Sequence, residues 1–209
     1  MGLCVVVALG AFIYWPEPKE PEYEGRKLSD WCEAASFFDE TKSAAAIRHI
    51  GTNALPFLMQ WIKYRPSIFV KWECKVTDRL GYHKPTEQMG SRCMRSFYAQ
   101  NGFKELGSLA SPAVPELTKL LFEPKESAPG YSAAHVLVSL AESEVVTMPK
   151  IYEALANENA NIRLRAVQAL ANVHKNRDPA VKAVTSVLDD PEPEIRRWAT
   201  NTLKVLKGT

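Results

Sequence analysis

Residues 133–140 (AAHVLVSL), 166–173 (AVQALANV) and 199–206 (ATNTLKVL) decide the architecture. Set beneath one another at an offset of 33, they bring Ala133, Ala166 and Ala199 into register. Leu137, Leu170 and Leu203 follow, then Leu140, Val173 and Leu206. Self-similarity at such a period marks a repeat protein. Further along, Ile151 falls on Val184 and Leu155 on Leu188. At an offset of 34, Phe103, Leu106, Pro115, Leu117 and Leu121 fall on Leu137, Leu140, Pro149, Ile151 and Leu155. An earlier copy starts at 44–51 (AAAIRHIG) and runs on through 54–62 (ALPFLMQWI).

Inside each unit the apolar spacing is helical. Ile162, Ala166, Ala169, Leu170 and Val173 form one stripe; Val181, Val184, Val187 and Leu188 form another. Pro56, Pro115, Pro149 and Pro179 stand where second helices begin, a place where the missing N–H costs nothing. No segment alternates with the period of a half-buried strand. Each unit is therefore a helical hairpin of about 33 residues whose apolar face is covered only by its neighbours. The expected fold is all-α, a right-handed α-α superhelix of about four to five hairpins, with an apolar helix at the N-terminus.

Four motifs carry a family resemblance: 46–51 (AIRHIG), 113–117 (AVPEL), 162–166 (IRLRA) and 189–197 (DDPEPEIRR). These hairpins resemble HEAT repeats, including the short variant found in phycobilisome-lyase-like proteins. The lead-in 22–31 (EYEGRKLSDW) is similar to that of single-anchor bacterial HEAT-repeat proteins, which continue into the same kind of first unit. The resemblance spans about residues 22–209 and implies an armadillo-type fold. It implies no particular activity.

Two places break the repeat. Residues 63–91 are inserted where a simple hairpin would turn back, and Ile68, Phe69, Trp72, Val76 and Leu80 are spaced for an extra helix there. The last unit holds one helix only, 194–207, and reads as an end cap or a face for a partner.

Composition narrows the class. Apolar residues make up 46% and charged residues 24% of the 209, which suits a packed globular chain and excludes wholesale disorder. Lys plus Arg number 26 against 24 Asp plus Glu, a net charge of +2. A protein built to grip phosphates usually shows a larger basic excess. Residues 3–15 (LCVVVALGAFIYW) carry no charge and end at Pro16. As helix they span roughly 20 Å, short of a bilayer core but suited to a signal h-region or a short anchor. No basic residue precedes them, which fits a start site upstream of Met1; a buried N-terminal helix is the alternative. Residues 16–25 (PEPKEPEYEG) hold three prolines and four glutamates and read as an extended spacer. The expected division is thus an anchor at 1–15, an acidic linker at 16–28 and a solenoid at 29–209. The domain is expected to be membrane-anchored or exported, on the non-cytoplasmic side.

Catalytic signatures are absent from the sequence. His49, His83, His135 and His174 lack ligand-spaced neighbours, and no glycine-rich phosphate loop or nucleophile elbow occurs. Neither a metal nor a cofactor is expected, nor a small-molecule substrate. Cys74 and Cys93 flank the insertion and are either a disulfide closing about 20 residues or two buried thiols. Cys32 reads as core on a helix capped by Ser29. Arg48, Arg163, Arg165, Arg196 and Arg197 recur on first helices, either as a basic ridge or as bridges to turn acids such as Asp178, Asp189 and Asp190. Aromatic residues cluster around the insertion. The candidate interaction surface is Arg48, Trp61, Tyr64, Phe69, Trp72, Tyr82, Arg163 and Arg197. The expected function is a non-enzymatic scaffold that binds another protein or peptide. A nucleic-acid-binding solenoid is one alternative, and a phycobilisome-lyase-like or chaperone-like factor is another.

Overall fold

Prolines set the starts of the helices much as their spacing predicts. In a computed structural model, which describes residues 19–37, 40–65 and 87–208, Pro56 is the second residue of α3 (Leu55–Ile62) and Pro115 of α5 (Val114–Leu121). Pro149 is the second of α7 (Met148–Leu155), and Pro179 the third of α9 (Arg177–Thr185). A pyrrolidine ring at such a position presets φ and removes an N–H that would have had no partner. The preceding helices are α1 (Leu28–Phe37), α2 (Glu40–Ile50), α4 (Glu87–Leu106), α6 (Ala128–Ala141), α8 (Ala160–Ala169) and α10 (Pro193–Lys207). Short 3₁₀ turns at Gly51–Ala54, Gly107–Ala113 and Leu170–Asn172 join three of the hairpins.

The pairs α2/α3, α4/α5, α6/α7 and α8/α9 are the hairpins, and α10 stands alone after them. First helices form one layer, α4 against α6, α6 against α8, α8 against α10, with α1 and α2 both against α4. Each second helix packs on the first helix of the next hairpin, as α5 does on α6 and α9 on α10. One continuous apolar core results, running from Leu28 and Trp31 through Phe103 and Leu137 to Leu206. The aligned residues Ala133, Leu137, Leu140, Ala166, Leu170 and Ala199 are all fully buried, which is why they recur. The described residues thus form an all-α array of stacked hairpins, as the repeat predicts.

One element was not expected. β1 (Glu22–Tyr23) pairs antiparallel with β2 (Arg26–Lys27) across a two-residue turn. Both turn residues, Glu24 and Gly25, have positive φ (49° and 72°), as a type I′ turn requires. The later part of the acidic segment is therefore a small hairpin lying on the first helices, not an extended spacer. Trp31 Nε1 donates to the Tyr23 carbonyl at 3.1 Å, the Arg26 guanidinium sits 4.2 Å from the Trp31 ring, and Tyr23 stacks on His49 at 4.2 Å. Ser29 is likewise not the cap of α1. It lies in the first turn, and its N–H donates to Glu20 while Lys27 N–H donates to Asp30. The carboxylates win because they offer a charged acceptor to the helix N-terminus.

The insertion predicted at 63–91 is shorter at its far end, since α4 already begins at Glu87. The apolar stretch 1–15, Phe69, Trp72, Cys74 and Tyr82 lie outside the described residues. Cys93 falls on α4, but its side chain lies outside them too, so the disulfide expectation does as well.

Candidate functional site

The recurrent arginines resolve into three kinds. Arg163 is a bridge: Nε and Nη2 donate to the two oxygens of Asp190 at 2.7 and 2.9 Å, and Nη1 to the carbonyls of Asn157 and Glu158. Those bonds hold the Asp190 carboxyl below the ordinary aspartate range and push the Arg163 pKa up. Arg196 ties the same turn through the carbonyls of Asp190 and Pro191. Both belong to the turns between units, which removes Arg163 from a free basic ridge. Arg197 is solvated, 3.5 Å from Glu194 one turn earlier on α10.

Arg165 is a third kind that its position in the motif does not announce. It is fully buried and donates to the carbonyls of Leu121, Glu123 and Lys125, at the end of α5 and in the turn after it. Asn159 adds a bond to Pro124 O at 3.1 Å. Burial lowers the Arg165 pKa from its ordinary value; the guanidinium nevertheless stays charged. It therefore suits the negative end of a helix dipole.

Of the aromatic candidates, Trp61 is a core residue, 3% exposed. It shares the inward face of α3 with Leu58 and Ile62, and the helix spends its largest apolar side chain there. Tyr64 is half-buried and lines a groove of ≈ 840 Å³ between α3 and α5, with Pro56, Met59, Pro112 and Glu116. Lys63 and Glu116 form an ion pair across that groove.

A second groove, ≈ 580 Å³, crosses the layer of first helices and includes Arg48. Four elements build it. From α2 comes Arg48; from α4 come Phe97, Gln100, Asn101, Lys104 and Glu105, one stripe at helical spacing. From α6 come His135, Ser139 and Glu142, and from the turn between α8 and α9 come Asn172, His174 and Lys175. Its floor is tied together. Arg48 Nε donates to Glu105 O at 2.9 Å with Nη2 3.5 Å from the Glu105 carboxylate. His135 Nδ1 and Asn172 Nδ2 are 2.7 Å apart, joining adjacent units. The Glu142 carboxylate accepts from the N–H groups of His174 and Lys175, and Lys175 Nζ donates to Glu142 O. Burial lowers the pKa of His135, so its imidazole is neutral at neutral pH.

Apart from Arg48, none of this groove was among the predicted site residues. A signal for it exists in the repeat. Asn101, His135 and Gln168 are equivalent positions, as are Glu105, Ser139 and Asn172, all polar amid apolar stripes. Arg48 and Lys104 each stand three residues before the glycine that ends their helix. Among the described residues, no three His, Cys, Asp or Glu side chains converge as metal ligands. Cys32 is buried against the core, and burial pushes its thiol well above the ordinary range.

A family model described as HEAT repeats matches residues 148–208, which hold α7 to α10. The match makes those residues similar to HEAT repeats, which generally serve as protein-interaction scaffolds. No curated protein and no solved structure matches the chain.

Proposed function

We propose that the chain is a non-enzymatic scaffold that binds another protein along its layer of first helices. The observation that carries this reading is the groove itself, built from polar residues at equivalent positions of successive units and lying open across four elements. A solenoid offers such a surface as a by-product of stacking, because each unit contributes one rung. The same reading places residues 1–15 in a membrane or in an export signal, with the array on the non-cytoplasmic side. Its supports are the uncharged run 3–15 and the acidic, proline-rich residues behind it. Among the described residues no helix is long and apolar enough to cross a membrane.

Two measurements test it. Crosslinked affinity capture from the source cells, after nuclease treatment, is expected to return a stoichiometric protein partner. Capture that depends on intact nucleic acid would replace the scaffold with the nucleic-acid reading. Alkaline extraction of membranes is expected to leave the full chain in the pellet and to release a chain beginning at residue 19. Release of both would remove the anchor.

A further inference from the structure

We infer that the groove across the first helices takes an extended acidic segment of the partner protein, with an apolar side chain of that segment set against Phe97. The inference rests on the scaffold reading. It starts from charge. Arg48, Lys104 and Lys175 are the formal cations of the lining, Glu105 and Glu142 its carboxylates. Both carboxylates are engaged within the chain. The Glu105 side chain is only 8% exposed, with Arg48 Nη2 at 3.5 Å and Lys104 Nζ at 4.0 Å. Glu142 spends its oxygens on the N–H groups of His174 and Lys175. Arg48 and Lys104 share the Glu105 carboxylate and are its more exposed partners, their side chains 60% and 57% exposed, and Lys175 is exposed as well. Lys175 Nζ bonds a carbonyl, not a carboxylate, so its charge is not cancelled there. Three exposed cations against two carboxylates leave the lining net positive, so it favours an incoming carboxylate over an incoming ammonium.

Shape adds two constraints. Adjacent packed helices lie roughly 8–10 Å apart, so a path from Arg48 on α2 across α4 and α6 to Lys175 runs roughly 25–30 Å. An extended chain covers that with about eight residues. Phe97, 43% exposed on the α4 stripe, gives one apolar contact beside the cations. A nucleic-acid strand fits less well, since it wants a row of cations and several stacking rings, and two carboxylates, one exposed phenyl ring and one exposed imidazole stand here.

The test uses the full chain and fluorescence anisotropy with labelled twelve-residue peptides. One is rich in Glu and Asp around a central Leu, the second has Ser for that Leu, and the third has Lys for every acid. A twelve-nucleotide oligothymidine is the fourth probe. The acidic Leu peptide is expected to bind best and to weaken as salt rises. The double variant Lys104→Gln/Lys175→Gln is expected to lose at least tenfold in affinity with its helix content unchanged. Phe97→Ser is expected to weaken the Leu peptide severalfold and the Ser peptide not at all. Absence of measurable binding by the acidic Leu peptide overturns the inference, as does equal binding of acidic and basic peptides or indifference to the double variant. Tighter, Lys104- and Lys175-dependent binding of the oligothymidine assigns the groove to nucleic acid instead. A captured partner that the double variant retains leaves the scaffold standing and removes this groove from it; no partner at all removes the scaffold.

Discussion

The Arg165 guanidinium lies against the backbone of Gly130, so close that a Cβ at position 130 would fall 2.6 Å from Arg165 Cζ and 2.7 Å from Nη1. Gly130 is in the first turn of α6 and Arg165 in the middle of α8. The missing side chain of one is the space that holds the charged group of the other. Gly130→Ala is expected to destabilise the fold by about 1–3 kcal/mol through overpacking. Arg165→Lys is expected to cost about as much, because an ammonium cannot serve three carbonyls in the plane of the guanidinium fork. The double variant should cost less than the sum, since the shorter head leaves room for the Cβ. Urea denaturation of all four proteins checks the cycle; strict additivity would mean that the two residues do not share this space.

The Arg163–Asp190 pair makes a prediction about acid. Hydrogen bonds from Arg163 lower the Asp190 pKa, so the folded chain binds that proton less readily than the unfolded one. Its stabilisation is complete above the ordinary aspartate value and is lost as pH falls through that value towards the folded one. Asp190→Asn is expected to cost roughly 3 kcal/mol at neutral pH, the pair being nearly buried. That difference should shrink once pH drops below about 4. Thermal melts of both proteins between pH 7 and 3 measure it, and a constant difference would show that the carboxylate charge is irrelevant to the pair.

Cys32 should be chemically silent. Its thiol is fully buried and its pKa is raised by burial, with Glu20 and Glu105 adding to the shift. Since the thiolate is the reactive form, alkylation of Cys32 by iodoacetamide at pH 8 is expected only after denaturation. Peptide mapping by mass spectrometry reads it site by site. Labelling of Cys32 in the folded chain within minutes would mean that α1 opens on that timescale.

The N-terminal hairpin predicts a modest, local effect. Tyr23→Ala removes the stack on His49 and loosens the carbonyl that receives Trp31 Nε1. A loss of roughly 1–2 kcal/mol is expected. Hydrogen exchange should show faster exchange in α1 and α2 with no change in α8 to α10; uniform acceleration would contradict a hairpin that acts only on its neighbours.

How much of this was legible in the residues themselves follows from what leaves a periodic trace. Burial does, so Leu137, Leu170 and Leu203 announced the hairpins, and Pro56, Pro115 and Pro149 announced where second helices begin. The strands at Glu22–Tyr23 and Arg26–Lys27 were hidden because two residues cannot show a period and the acidic, proline-rich surroundings look like a spacer. Arg163 and Arg165 stand two apart in one motif, and only their positions around the helix separate a turn bridge from a buried clamp. Residue type alone suggests a surface anchor at Trp61, while its partners at helical spacing, Leu58 and Ile62, place it in the core. The groove escaped because its residues repeat as polar rather than as one type. Asn101, His135 and Gln168 share a position and no chemistry by which the eye would align them.

In a simple stack each unit touches only the next, and the ends are free to fray one unit at a time. Here Arg165, in the α8/α9 hairpin, holds carbonyls that close the α4/α5 hairpin, reaching past the α6/α7 hairpin between them. Unravelling from the C-terminal side therefore cannot pass α8 without stripping three bonds from the middle of the molecule. The α4/α5, α6/α7 and α8/α9 hairpins should therefore go together as one cooperative block, and a chain cut between α7 and α8 would leave the carbonyls of Leu121, Glu123 and Lys125 without the guanidinium that holds them.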